Sequence, residues 1–352
     1  MLTLNEKKIR KGKPVGLPYK GSKKKISKKI VEIIKQNFWT NKPVYDIFGG
    51  GGAITAECIL NNLEVHYNDL DETITGMFHK VLNEDSDYLK TLIISRDNFF
   101  KIRDKENKTI DDELKLLINS FGNNRRNYMY SKEMSEIKYN LAIEIIKNHD
   151  VFSGYRHTET YLNKKSTFKG NKLQQLGQLQ QLQRLQQLGQ LQQLQQLETT
   201  NLDYKSFSDV ENSILYLDPP YEGTTGYKDN KQKARNVSPE LYNKMRQKLL
   251  KMPLGKVIVE DGIEYKLGTS SNNKGRMYVK DLQKKQQNGF DSQAFYDWSY
   301  EMNKKNIVLI SSYEISDERF ECVYEFKTAR STFRGGVTNN ENKTERLFTV
   351  KK

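Results

Sequence analysis

Cysteine and histidine are scarce in this sequence. Its two cysteines, Cys58 and Cys322, lie far apart in a chain of 352 residues, and no Cys-x-x-Cys pair occurs. That excludes a disulfide scaffold and a zinc ribbon, and it suits a reducing compartment, the cytoplasm. The four histidines are scattered and offer no metal-ligand spacing, so no metal is expected. No stretch approaches the roughly 18 consecutive apolar residues of a membrane span. The N-terminus is basic but has no apolar centre, so no secretion leader is expected. Acid is in deficit: Lys and Arg total 58 against 44 Asp and Glu, a formal charge of +14. An excess of that size favours a polyanionic partner, with a solvated basic face as the plainer alternative.

Along the chain, residues 1–18 form a basic arm broken by Pro14, Gly16 and Pro18. Residues 22–37 place Ile26, Ile30, Ile33 and Ile34 at helical spacing. "KPVYDIF" then reads as a strand, "GGGG" as a loop, "AITAECILN" as a helix and "LEVHYNDLD" as a second strand. That is the start of an α/β fold, expected to be doubly wound. Residues 73–150 read as mainly helical, interrupted by the polar loop "NSFGNNRRNYMYSK" at 119–132. From 173 to 197 leucine falls at every third position in a background of glutamine. On an α-helix each step of three slips about 60° behind a full turn, so the leucines wind round the helix. A coiled coil needs a period of 3.5 and is excluded. A short-repeat solenoid, a helix stapled across several neighbours, or an expanded loop all remain open. Beyond it, "SILYL", "KVIVE", "NIVLISSYE", "FECVYEF" and "ERLFTV" read as strands, and "FDSQAFYDWSYEMNKK" as a helix capped near Asp291.

Three stretches carry chemistry. "DIFGGGGAI" (46–54) sets glycines between a strand and a helix, with Asp69 about 20 residues on, where a ribose-binding acid sits in nucleotide folds. Alone, this fits a dinucleotide site or a structural turn equally, and no Gly-Lys-Ser/Thr follows to make a phosphate loop. "ILYLDPPYEG" (214–223) runs a buried strand straight into Asp218, Pro219, Pro220 and Tyr221. Proline fixes φ and removes a donor, so this turn is stiff and presents one carboxylate and one ring. "LPYKGSKKKI" (17–26) puts an aromatic, a glycine and a lysine before a helix start, an arrangement that attracts a carboxylate.

In this order the three resemble the DNA adenine-N6 methyltransferases of the Dam-like D12 class, alpha group. The resemblance covers roughly 13–140, 200–227 and 290–350 and implies a Rossmann-like S-adenosylmethionine-dependent sheet with an inserted, mainly helical target-recognition domain. It implies a cofactor part at 1–72, a target-recognition region at 73–172, the leucine–glutamine repeat at 173–197, and a catalytic part at 198–352 with a basic insertion at about 228–289. S-adenosyl-L-methionine is the implied cofactor, without metal. Tyr19, Lys23, Asp46, Phe48, Gly49, Gly51, Asp69, Asp203 and Tyr204 are its implied binding residues. Asp218, Pro219, Pro220 and Tyr221 are the implied catalytic motif. In the polar loop, Arg125, Arg126, Asn127 and Tyr128 are the candidates for DNA, either reading bases or holding phosphates. The implied partner is double-stranded DNA, with no membrane. A monomer is expected, in the cytoplasm of a bacterial or phage-infected cell, with a cognate restriction nuclease left open. RNA adenine or an amide substrate is the alternative within methyl transfer. A catalytically silent DNA binder and an NAD-dependent oxidoreductase are the alternatives outside it.

Overall fold

The computed structural model describes residues 1–19, 21–38, 40–148, 154–168, 170–194, 197–221, 247–248, 257–260, 263–267, 277–281, 290–330 and 344–351. The isoleucine spacing near the N-terminus yields helix α1 (Ser27–Asn37), which buries Ile30, Val31, Ile33 and Ile34. Strand β1 (Val44–Asp46), helix α2 (Ala53–Ile59) and strand β2 (Val65–Asn68) follow as the glycine pattern predicts. Then come α3 (Glu72–Asn83), α4 (Ser86–Lys90), α5 (Arg96–Arg103), α6 (Ile110–Asn119), α7 (Lys132–Asn148) and α8 (Glu159–Lys164). Their starts are legible in the sequence. Asp71 accepts from the backbone of Thr73 and Ile74 to cap α3, and Thr109 and Asp112 form a reciprocal capping box on α6.

The leucine–glutamine tract folds as α9 (Asn171–Leu176) and α10 (Gln180–Gln192). Every leucine from Leu176 to Leu194 is buried. The winding stripe is satisfied because α10 has α3, α4 and α6 as neighbours. A helix enclosed on several sides needs apolar residues around more of its girth than a surface helix does.

The chain continues through β3 (Thr199–Thr200), β4 (Ile214–Leu217), β5 (Val257–Glu260), β6 (Ile263–Leu267), β7 (Met277–Asp281), α11 (Ser292–Met302), β8 (Ile307–Ser312), β9 (Phe320–Arg330) and β10 (Thr344–Val350). A seven-stranded sheet has the order β3-β2-β1-β4-β8-β10-β9. Its first five strands are parallel, and β10 runs antiparallel to both its neighbours. The order reverses at β1, which lies between β2 and β4. Ligands of open α/β sheets bind outside the carboxyl ends of the strands at such a point.

Two compact units result, one of residues 1–219 with 297–352 and one of residues 220–296. The helical region does not separate from the sheet as an inserted domain. One continuous core runs from Val15, Leu17 and Tyr67 through α3, α6 and α7 to Leu194, and shared apolar burial joins the two parts. A second core joins α1 to Val44, Ile214, Tyr216 and Leu309 of the sheet. Within residues 220–296, β5, β6 and β7 form an antiparallel three-stranded sheet, pairing Val257 with Lys266 and Ile263 with Asp281. Most of the basic insertion at 228–289 lies outside the described residues.

Candidate active site

Strand register brings the motifs to one edge. Asp46 ends β1 opposite Tyr67 of β2 and Tyr216 of β4. The glycine turn leaves the first strand there, and Asp218 follows two residues after Tyr216. The turn is laced to its surroundings. The Gly49 amide donates to the Asn68 carbonyl at 2.8 Å, and the Leu17 amide donates to the Gly51 carbonyl at 2.8 Å. The Tyr67 hydroxyl donates to the Gly50 carbonyl at 2.8 Å. Glycine is required at two positions by close approach. A Cβ on Gly49 would lie 2.4 Å from the Tyr67 ring, and one on Gly52, at φ +69°, would lie 2.2 Å from the Phe78 ring.

Acids stand around this turn in different environments. Asp69 Oδ2 accepts from the Gly50 amide and Oδ1 from the Asp71 amide, each at 2.8 Å. Burial raises its pKa despite those bonds. Asp46 is enclosed beneath the turn, where its Oδ2 accepts from the Thr55 amide and hydroxyl at 3.1 and 2.7 Å. Burial pushes that carboxyl up to about 7, with Asp218 and Asp69 adding repulsion. Asp46 therefore fastens the turn to α2 from behind.

The proline motif is held by the N-terminal one. Lys23 Nζ lies 2.7 Å from both carboxylate oxygens of Asp218. It also lies 3.7 Å from Glu345 Oε1 on β10, and that oxygen accepts from the Ser311 hydroxyl at 2.7 Å. The resemblance implied Lys23 for the carboxylate region of the cofactor, and here its ammonium also pairs with Asp218. Pro219 is buried, and Pro220 and Tyr221, half-buried, open the second unit. Glu345 was not nominated from the sequence. Its only signal was a single acid in an apolar strand.

At the neighbouring strand end, Phe48 and Tyr204 face each other at 6.1 Å between ring centroids and 30° between planes. Trp298 meets Tyr204 edge-on at 5.1 Å, and its indole N–H donates to the Ser208 hydroxyl at 3.0 Å. Asp203 is exposed and caps the short turn that carries Tyr204. Asn68 fixes this segment by donating to the Leu202 carbonyl at 2.9 Å and accepting from the Leu202 amide at 2.8 Å. Tyr19 packs beside Gly50 and Gly51. Trp298 and Asn68 were likewise missed, since each supports a segment distant in sequence, and Thr55, nine residues from Asp46, was missed as well.

The polar loop divides its four candidates. Arg126 and Asn127 are exposed. Arg125 is half-buried at φ +55° and pairs with Glu113 at 2.9 Å. Tyr128 is not available to DNA. Its ring is buried against Phe99, and its hydroxyl donates to the Ile94 carbonyl at 3.0 Å. Burial raises its pKa to about 12. An aromatic beside two arginines looked like a contact residue, but the apolar face of α5 claims it. Phe121, which was not nominated, is 65% exposed on the same loop.

A family model for the D12 class N6 adenine-specific DNA methyltransferases matches residues 19–281. The chain belongs to this family. No curated protein matches the chain. The D12 match runs from Tyr19 beyond Tyr221 and so takes in the N-terminal lysine, the glycine turn and the proline motif together. The seven-stranded mixed sheet agrees with a methyltransferase of this kind. The residues present also suit the nucleoside that the family implies. A bare-backbone turn, a carboxylate acceptor at the adjacent strand end and two facing rings are the groups an adenosyl moiety needs. Among the described residues no group of His, Cys, Asp and Glu is placed to hold a metal ion, and no helix is long and apolar enough to cross a membrane.

Proposed function

We propose that this D12-class protein transfers a methyl group from S-adenosyl-L-methionine to the N6 amine of an adenine swung out of double-stranded DNA. The observation that carries this reading is Asp218, set at the carboxyl edge beside the glycine turn with its carboxylate gripped by Lys23 at 2.7 Å. When bound, S-adenosyl-L-methionine would supply a methyl carbon already made electrophilic by the sulfonium, its sulfur leaving as a neutral thioether, while the proton lost from the amine would pass to solvent.

The chain's residues must then position the amine. The lone pair of adenine N6 is delocalised into the ring, which makes it a poor nucleophile. Acceptors on its two hydrogens draw it toward a tetrahedral nitrogen. Asp218 supplies one through its carboxylate. The Pro219 carbonyl supplies the other, because proline keeps its acceptor while losing its donor. The proline turn aims both in advance, so little reorganisation is needed during reaction. Lys23 fixes the Asp218 carboxylate in direction. Tyr221, the next ring in the motif, supplies a stacking face for the base. Tyr19, Gly49 and Gly51 lie along the cofactor, Asp69 takes its ribose, and Phe48, Tyr204 and Asp203 take its adenine. Holding reactants in line contributes roughly 7–11 kcal/mol to such a reaction.

The adenine has to leave the duplex to reach a recessed carboxylate, as it does for other base-modifying enzymes. The +14 charge supports binding to the DNA backbone. The exposed Arg126 and Asn127 are the loop's candidates for the groove, where arginine suits guanine and asparagine suits adenine. We take the protein to act as a monomer in the cytoplasm of a bacterial or phage-infected cell, with or without a cognate nuclease.

Purified protein given methyl-labelled cofactor should label duplexes that carry its site, with the label recovered as N6-methyladenine. Folded, cofactor-binding protein that labels no adenine-containing duplex would overturn the proposal.

A further inference from the structure

The leucine–glutamine tract has one charged residue between 173 and 197, Arg184. Its guanidinium goes to the root of the polar loop. Nη1 lies 2.9 Å from the Leu117 carbonyl and 2.8 Å from those of Ile118 and Ser120. The last carbonyls of a helix have no partner within it, and a cation there also meets the negative end of the helix dipole. Arg184 thus closes α6 at the residue where the loop begins. One turn earlier, the buried Gln181 donates to the Asn119 side chain and, at 3.3 Å, to the Tyr128 hydroxyl. Asn119 and Tyr128 flank the loop, which is pinched shut by a bridge between Ser120 and Tyr128 and by a bond from the Phe121 amide to the Asn127 carbonyl at 2.8 Å. Gly122, Asn123 and Arg125 adopt left-handed backbone within it, so its shape depends on outside support. Further along the same helix, Gln187 accepts from Lys24 Nζ at 2.9 Å. Lys24 adjoins Lys23, the residue that grips Asp218.

We propose that α10 is a strut that fixes the loop of residues 121–127 relative to the segment carrying Lys23, and that Arg184 is a positioning residue for DNA recognition. This rests on the reading that the loop meets duplex DNA. The leucines seat the helix, while Arg184, Gln181 and Gln187 tie it to what it must hold in register. A misplacement of about 1 Å far from the chemistry can cost roughly 10²-fold in rate.

The test compares methylation by the full-length chain on its own site and on sites altered at one base pair. Wild-type protein that methylates its site establishes the methyl transfer beneath the inference, and one that methylates no duplex overturns both. Arg184→Met is expected to lower kcat/KM on the cognate duplex by roughly 10²-fold. Discrimination against a single altered base pair, ordinarily on the order of 10–100-fold, should shrink to a few-fold. Cofactor affinity by calorimetry should stay unchanged. Arg184→Lys, whose ammonium has three donors for the three carbonyls, should recover most of both losses. Should the methionine variant fail to fold, Gln181→Met removes the ties to Asn119 and Tyr128 at similar volume and should show the same loss of discrimination in smaller degree. Variants that fold and methylate with undiminished discrimination would overturn the inference while leaving methyl transfer intact.

Discussion

At the carboxyl edge of the sheet, residues 195 positions apart meet in one ion pair, Lys23 with Asp218. In α10, leucines three positions apart do the packing, and Leu182, Leu185, Leu188 and Leu191 are all buried. The first region depends on single atoms in fixed places. The second depends on volume, repeated and partly interchangeable, with a few polar ties. Substitutions in the two regions should therefore fail differently: at the sheet edge chemistry is lost from a folded protein, and in the helix stability is lost first.

The largest effect is expected at the edge. Asp218→Ala should cut methyl transfer by on the order of 10³-fold or more, because one of two preset acceptors disappears. Cofactor binding by calorimetry should survive, since the turn and the facing rings are untouched. If transfer persisted at near the original rate, Asp218 would not be the acceptor. In the helix, Leu188→Ala should cost about 2–5 kcal/mol of unfolding free energy in a urea titration. The exposed Gln186→Ala should stay within about 0.5 kcal/mol. Equal losses at both positions would mean that α10 is not enclosed as described.

How much of this was legible in the sequence follows the same division. The β1–turn–α2–β2 unit, the proline motif and the late strands were readable because each depends on neighbours in sequence: apolar runs, glycines, prolines, caps. The meeting of Lys23 with Asp218 was not, because nothing local marks which carboxylate a lysine will face once the sheet closes. Glu345 and Trp298 were missed for that reason. Tyr128 misled because burial is decided by α5, a distant element, whereas Arg126 and Asn127 beside it remain exposed. The leucine period excluded a coiled coil but left open what would surround the helix, since the number of neighbours is a property of the fold. Continuity of the core from Tyr67 to Leu194 likewise has no sequence marker, and it joins a region that the motif order had suggested was inserted.

Smaller effects sharpen the contrast. Arg126→Ala should weaken duplex binding and reduce its salt slope by about one, leaving cofactor affinity alone. An unchanged slope would remove Arg126 from the phosphate contacts. Asp46 offers a test within the edge itself. Its carboxyl ionises at about 7 when folded, while an unfolded aspartate ionises near about 4. Between those values the folded protein holds a proton that the unfolded chain has lost, so stability falls as pH rises from about 4 to about 7 and then levels. Asp46→Asn has no such titration. Its melting temperature relative to the parent should climb across that window, and a difference that stays flat would contradict the buried, protonated aspartate.

The most direct measurement is to express the chain in a host that lacks adenine methylation and to sequence its genomic DNA by a method that detects N6-methyladenine. The account predicts methylation at one short motif, abolished by Asp218→Ala. A well-expressed, cofactor-binding protein that leaves the genome unmethylated would contradict it.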